Sequence, residues 1–173
     1  MKKDHNYWID KLKLKKHPEG GFYIETYRSD ETINVESLSV ACTGQRSLST
    51  AIYFLLKGSQ VSYFHRLKSD ELWHFYYASS LTIHIIDQKN RYFKVCLGSD
   101  IEKGEVFQTT IKKGCWLGAT VNNIKSYSLV GCTVSPGFDF RDFELADQKL
   151  MLEKYPEHAC IIKKLTHAGS ILV

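Results

Sequence analysis

The 173 residues carry 23 basic and 19 acidic side chains, a formal charge of +4, with 43% hydrophobic content. This is the length of one domain that buries about two thirds of its unfolded surface, and the scattered basic residues exclude a nucleic-acid footprint. Five widely spaced cysteines without a Cys-x-x-Cys argue against a disulfide framework or structural zinc, and the lack of a signal-peptide core or of ~20 consecutive apolar residues points to a cytoplasmic protein off the membrane.

Residues 4–14 read as a short amphipathic helix with Trp8, Ile9 and Leu12 on one face, capped by Asp4 or Asn6, and with Lys11, Lys13, Lys15 and Lys16 toward solvent. His17-Pro18-Glu19-Gly20-Gly21 ends it, the glycine pair opening backbone angles closed to other residues. Residues 22–28 then alternate as a strand, Phe22, Ile24 and Thr26 on one face and Tyr23, Glu25 and Tyr27 on the other. Residues 29–46 are polar and read as a loop holding a short strand near 37–42. Further strands are expected at about 48–56, 60–66, 71–77, 81–87, 91–96, 106–111, 115–121 and 126–133, with turns at Lys57-Gly58-Ser59, Gln88-Lys89-Asn90 and Lys112-Lys113-Gly114. That rhythm predicts an all-β sandwich or barrel rather than alternating β/α units.

Ser135-Pro136-Gly137 stops the run. Phe138, Phe140 and Phe143, with Asp139 and Asp142, read as a plug closing one end of the barrel, and residues 143–155 and 156–166 as two short helices. One domain over 1–173 follows, with a barrel core of about 20–135 and a helical tail of about 143–166.

The chemistry concentrates between Tyr63 and Tyr77, where two strand-like flanks meet at the turn Lys68-Ser69-Asp70 and bring His65 and Glu71 together among aromatic rings. A neutral imidazole suits general-base work, and a carboxylate beside it fixes its tautomer. The bland alternative is a core histidine bonded to a backbone carbonyl and a carboxylate at a strand edge. Alternation puts Tyr63 and His65 on one face and turns His74 away from Glu71. Arg28, with Tyr23 and Glu25, is a candidate anion fork, or else a salt bridge to Glu25. Trp73, His74 and Trp116 are candidate ligand contacts at the mouth, or core residues. Neither Cys115 nor Cys132 has neighbours in sequence that would lower a thiol pKa.

This block resembles the first cupin motif, with Gly58 near its start, Tyr63-Phe64-His65 at its His-x-His position and Glu71 at its Glu; Lys112-Lys113-Gly114-Cys115-Trp116-Leu117 resembles the second. The chain is most similar to a group of small uncharacterised cupins often labelled predicted sugar epimerases. That likeness is carried by His17-Pro18-Glu19-Gly20-Gly21-Phe22-Tyr23, by the Glu25–Ser29 and Phe64–Tyr76 segments, by Gly114-Cys115-Trp116 and by residues 129–140. It implies a double-stranded β-helix jelly roll, commonly a homodimer; a small cyclic ligand held in the aromatic barrel is the accompanying functional expectation. At the positions where metal cupins carry three His and one Glu, this chain has Tyr63, His65, Leu117 and Glu71. A metal would therefore need His74 beside His65 and Glu71, and no cofactor is assigned. Three readings stand: a metal-independent sugar-nucleotide epimerase or isomerase with His65 as base, Glu71 orienting it and Tyr63 as opposite-face acid; a binding module without turnover; and a metal-dependent enzyme.

Overall fold

The computed structural model describes residues 3–34 and 44–167, so the short strand expected near 37–42 lies outside the described residues. In chain order the elements are α1 (His5–Lys11), β1 (Lys15–Lys16), β2 (Phe22–Arg28), β3 (Thr32–Ile33), β4 (Arg46–Ser47), β5 (Thr50–Lys57), β6 (Val61–Leu67) and β7 (Asp70–Ala78). They continue with β8 (Leu81–Ile86), β9 (Tyr92–Leu97), β10 (Gln108–Ile111), β11 (Trp116–Val121), β12 (Tyr127–Ser135), β13 (Phe143–Leu145), α2 (Gln148–Lys154) and α3 (Ala159–Lys164). Asp4 caps α1, accepting from the Tyr7 amide at 2.9 Å. The first of the two expected tail helices starts later than its sequence suggests. Residues 143–145 are drawn out as β13 along the edge of β6, and α2 begins only after Asp147, which accepts from the Leu150 amide. A free sheet edge outweighs local helix preference here. Among the described residues no helix is long and apolar enough to cross a membrane.

Two antiparallel sheets face each other, one ordered β1-β2-β5-β12-β7-β10 and the other β13-β6-β11-β8-β9, with β3 and β4 as a separate ribbon. From β5 to β8 successive strands switch sheets, the crossing pattern of a jelly roll. Three bulges interrupt the two-residue repeat. Thr26 is the extra residue of β2 against β5, and Tyr76 that of β7 against β12. In β6 the residues opposite Ala119 and Leu117 are Ser62 and His65, so Tyr63 and Phe64 occupy one place between them. Each bulge reverses the face taken by the side chains beyond it.

Between the sheets Phe54, Leu56, Trp73, Ile83, Leu117 and Val130 fill one end of the interior, each large side chain contributing roughly 1.5–3 kcal/mol by its burial. Outside the six-stranded sheet, Trp8, Ile9 and Leu12 lie over Leu55, Tyr127 and Leu129. Outside the five-stranded sheet, Met151, Ile162 and Leu165 cover Phe64, Ile86 and Trp116. The segment after β12 is tied down by Arg46, whose Nε and Nη2 donate to Asp142 Oδ2 at 2.6 Å and Oδ1 at 2.9 Å, both side chains buried.

Candidate functional site

Away from that apolar core the sheets part around a cavity of about 440 Å³, a volume within the range of small-molecule sites. Its lining comes from Thr50 and Ile52 of β5, His65 and Leu67 of β6, Glu71 of β7, and Cys132 and Val134 of β12. Three rings of the segment after β12 cover it. Phe138, Phe140 and Phe143 meet edge to face with centroids 5.0, 6.1 and 6.2 Å apart, and Phe143 stacks on His65 at 5.3 Å.

Strand β2 supplies Tyr23, Glu25 and Arg28. Strict alternation sets Arg28 opposite Glu25; the bulge at Thr26 returns it to the same side. There its Nε and Nη2 donate to the two Glu25 carboxylate oxygens at 2.9 and 2.7 Å, and Nη1 and Nη2 both reach the Phe138 carbonyl at 3.2 Å. The guanidinium fork is thus engaged with its own strand and with the phenylalanine segment, and it shapes the rim.

The loop His17-Pro18-Glu19-Gly20-Gly21 closes the opposite side. Gly20 and Gly21 take φ values of +104° and +70°, and a Cβ on Gly20 would collide with the Val61 carbonyl, so this close approach to β6 requires glycine. The Tyr63 amide donates to the Glu19 carbonyl at 2.7 Å. The Glu19 side chain is thereby held inside, its Oε1 accepting from Ser62 Oγ at 2.9 Å and its Oε2 lying 3.1 Å from His65 Nε2 and 3.4 Å from His17 Nδ1.

These contacts decide where the protons reside. His65 Nδ1 donates to the Tyr63 carbonyl at 2.8 Å, which leaves Nε2 facing Glu19. The Glu19 amide donates to His17 Nδ1 at 3.3 Å, which places that ring's proton on Nε2. Burial, the largest influence on each, holds both imidazoles below their usual range and raises Glu19 and Glu71, the latter to about 7. Burial thus favours the neutral form of each partner, in which the Glu19 carboxyl would donate to His65 Nε2. At Glu71 the neighbouring His65, the Trp73 indole and the Cys132 thiol oppose the upward push, while Glu19 adds to it. Even so, Glu71 Oε2 and Trp73 Nε1 are buried without a partner in hydrogen-bond geometry, a costly condition for a carboxyl oxygen.

Of the residues singled out in the sequence, His65, Glu71, Tyr23, Glu25 and Arg28 meet at this cavity, and four others do not. Tyr63 is turned away by the β6 bulge and packs on the His167 ring at 3.6 Å, so it is not the acid facing His65. His74 lies on the outer face of β7, its Nε2 3.2 Å from Thr133 Oγ1, because the strand runs regularly from Glu71 to that point. Trp73 is sealed in the interior core 5.7 Å from Phe54, and Trp116 lies under the C-terminal helices with the Arg66 guanidinium 4.5 Å above its ring. The sequence did not mark His17 and Glu19 as site residues; they read as a helix stop and as part of the family likeness. The available hint was a His and a Glu set directly before two glycines, more polar chemistry than a simple turn needs.

The donor set does not fit the metal site of metal-holding cupins. Of the four matching positions Leu117 is apolar core and Tyr63 points outward, and His74, the possible replacement, is on the far side of its sheet. Among the described residues no group of three or more His, Cys, Asp or Glu side chains is placed to hold a metal ion.

A jelly roll with a polar cavity at one end is the architecture of cupins, and residues 6–146 match the family described as Cupin superfamily (DUF985); the chain belongs to that family. Among solved structures it is similar to protein SO0799 of Shewanella oneidensis, 41% identical, with a TM-score of 0.87 over 96% of this chain and 99% of that one. A hypothetical protein from Leishmania major is 36% identical, with a TM-score of 0.86 over 95% and 99% of the two chains. The uncharacterized protein YML079W of Saccharomyces cerevisiae is 31% identical over 145 residues, 78% of this chain and 71% of its own. Oxalate decarboxylase of Bacillus subtilis shares the fold alone, at 16% identity and a TM-score of 0.53 over 87% of this chain and 36% of that one.

Proposed function

We propose that the cavity binds a small cyclic molecule and moves a proton on it without a metal, as in the epimerisation or isomerisation of a keto-sugar or its nucleotide. The observation that carries this reading is the pairing of two differently tuned proton carriers on one cavity, Glu71 at about 7 and the neutral Glu19–His65 couple. Groups whose surroundings push them toward neutral pH are suited to take and return protons there. Both nitrogens of His65 are already engaged. The base role that the sequence suggested for His65 therefore passes to Glu71, and the couple supplies the returning proton in place of Tyr63. The homodimer implied by the family likeness belongs to the same proposal.

Cyclic α-hydroxy ketones and keto-sugar nucleotides, incubated with the protein in D2O and followed by NMR, test it. Deuterium is expected at the carbon beside the carbonyl, and Glu71→Gln is expected to slow its entry about 10²–10⁴-fold. A second reading, recognition without turnover, is favoured by the internal satisfaction of Glu19 and His65, which suits a rigid wall. Tight binding with no exchange in any member of the panel would select it.

A further inference from the structure

We infer that the ligand carries a positively charged nitrogen, which rests against the Glu71 carboxyl beneath the three phenylalanine rings. This depends on the cavity being the ligand site but not on any turnover there; within the proposed substrate class it selects an amino-bearing cyclic ketone over an anionic sugar nucleotide. The charges around the cavity are the first support. At its rim Lys15 and Arg28 balance Glu25 and Asp139. Inside, the titratable lining groups are Glu19, Glu71, His17, His65, Cys132 and the phenol of Tyr23, none of them a lysine or arginine. Burial keeps both imidazoles neutral and the Cys132 thiol protonated. No lining residue inside can thus offset an ionised Glu71, and the guanidinium that lines the cavity, Arg28, is held by Glu25.

The Oε2 of Glu71 is the second support, since this oxygen is buried without a partner in hydrogen-bond geometry on a side chain that borders the cavity. A hydroxyl ligand meets that need as a donor but brings no charge. The rings are the third. Phe138, Phe140 and Phe143 present π faces and edges at mutually steep angles around one space, and Phe140 keeps nearly half its surface exposed at the mouth. Ring faces attract cations, most strongly when water is excluded, whereas an anion would meet two acids and the negative faces of the rings. A cation also favours the ionised carboxyl, so its affinity should rise as the pH passes upward through about 7.

Three probes that differ in one substituent test this: cyclohexylamine, cyclohexanol and cyclohexanecarboxylate. Each is titrated into the full chain slightly above neutral pH, with affinity from calorimetry and location from amide NMR shifts. The ammonium is expected to bind about tenfold or more tighter than the alcohol, with the carboxylate weakest. Glu71→Gln, which keeps the volume and removes an uncompensated charge, should bring the ammonium down to the alcohol's level while the alcohol itself is retained. Phe140→Leu, at a half-exposed ring, should weaken the ammonium by about three- to tenfold. An alcohol or carboxylate bound in the cavity as tightly as the ammonium overturns the cationic ligand and leaves the cavity as the site. Shifts confined to residues outside the cavity overturn both. Failure of the ammonium to bind, or a stoichiometric divalent metal held by His65 and Glu71, also overturns it.

Discussion

Two buried acid–base pairs stand on either side of the phenylalanine segment, and they behave in opposite ways. Arg46 and Asp142 meet through two short hydrogen bonds, and the guanidinium cannot shed its proton, so this pair always keeps its cation and acts as a staple. Glu19 and His65 are as deeply buried and 3.1 Å apart, yet both partners can be neutral, and burial raises the carboxyl and lowers the imidazole, driving both toward that form. The choice of cation separates a joint from a proposed site: the first pair fixes shape, and the second, with Glu71, is where the proposed function puts a mobile proton.

Removing one member of the permanent pair should do the most damage. Arg46→Ala leaves the Asp142 carboxylate buried and is expected to cost about 3–5 kcal/mol in urea unfolding; a loss below about 1 kcal/mol would mean that the joint is dispensable. Glu71→Gln sharpens the other half of the comparison through pH. The Glu71 carboxyl ionises near 4.5 when unfolded and near 7 when folded, so the native state binds the proton more firmly. Wild-type stability therefore falls as pH rises through that window and levels off above it, by at most about 3 kcal/mol from this group. The variant lacks that slope and should gain on wild type across the same window. Parallel pH profiles for the two proteins would contradict the raised value. Tyr63→Phe is expected to change least, with proton exchange within about twofold of wild type and stability within about 0.5 kcal/mol. A loss as deep as that of Glu71→Gln would put the Tyr63 hydroxyl back at the cavity.

The strands were legible because turn residues and alternation mark them locally, and the site strands because His65 and Glu71 flank a short turn. The sides were less legible. The phase argument that joined Tyr63 to His65 was sound for a regular strand and failed at a bulge for which neither residue carries a mark; the bulge at Thr26, equally unmarked, brought Arg28 to the cavity. For His74 no bulge intervened, and alternation placed it outside. Glu19 enters from a loop far away in sequence, held by a backbone bond to β6 that no local pattern announces.

The irregular dipeptide of β6 also laces the molecule together. Released from the ladder, the Tyr63 amide reaches back to the Glu19 carbonyl at 2.7 Å, while the Phe64 amide reaches forward to the Leu165 carbonyl at 2.7 Å and the Phe64 carbonyl accepts from Ala146 at 2.8 Å. The imidazole one residue on is thus framed by the chain's opening segment and by its tail, contacts of long sequence separation that close late in folding. The pocket is completed only when both segments have docked on β6, and damage to either one is felt at the histidine they share.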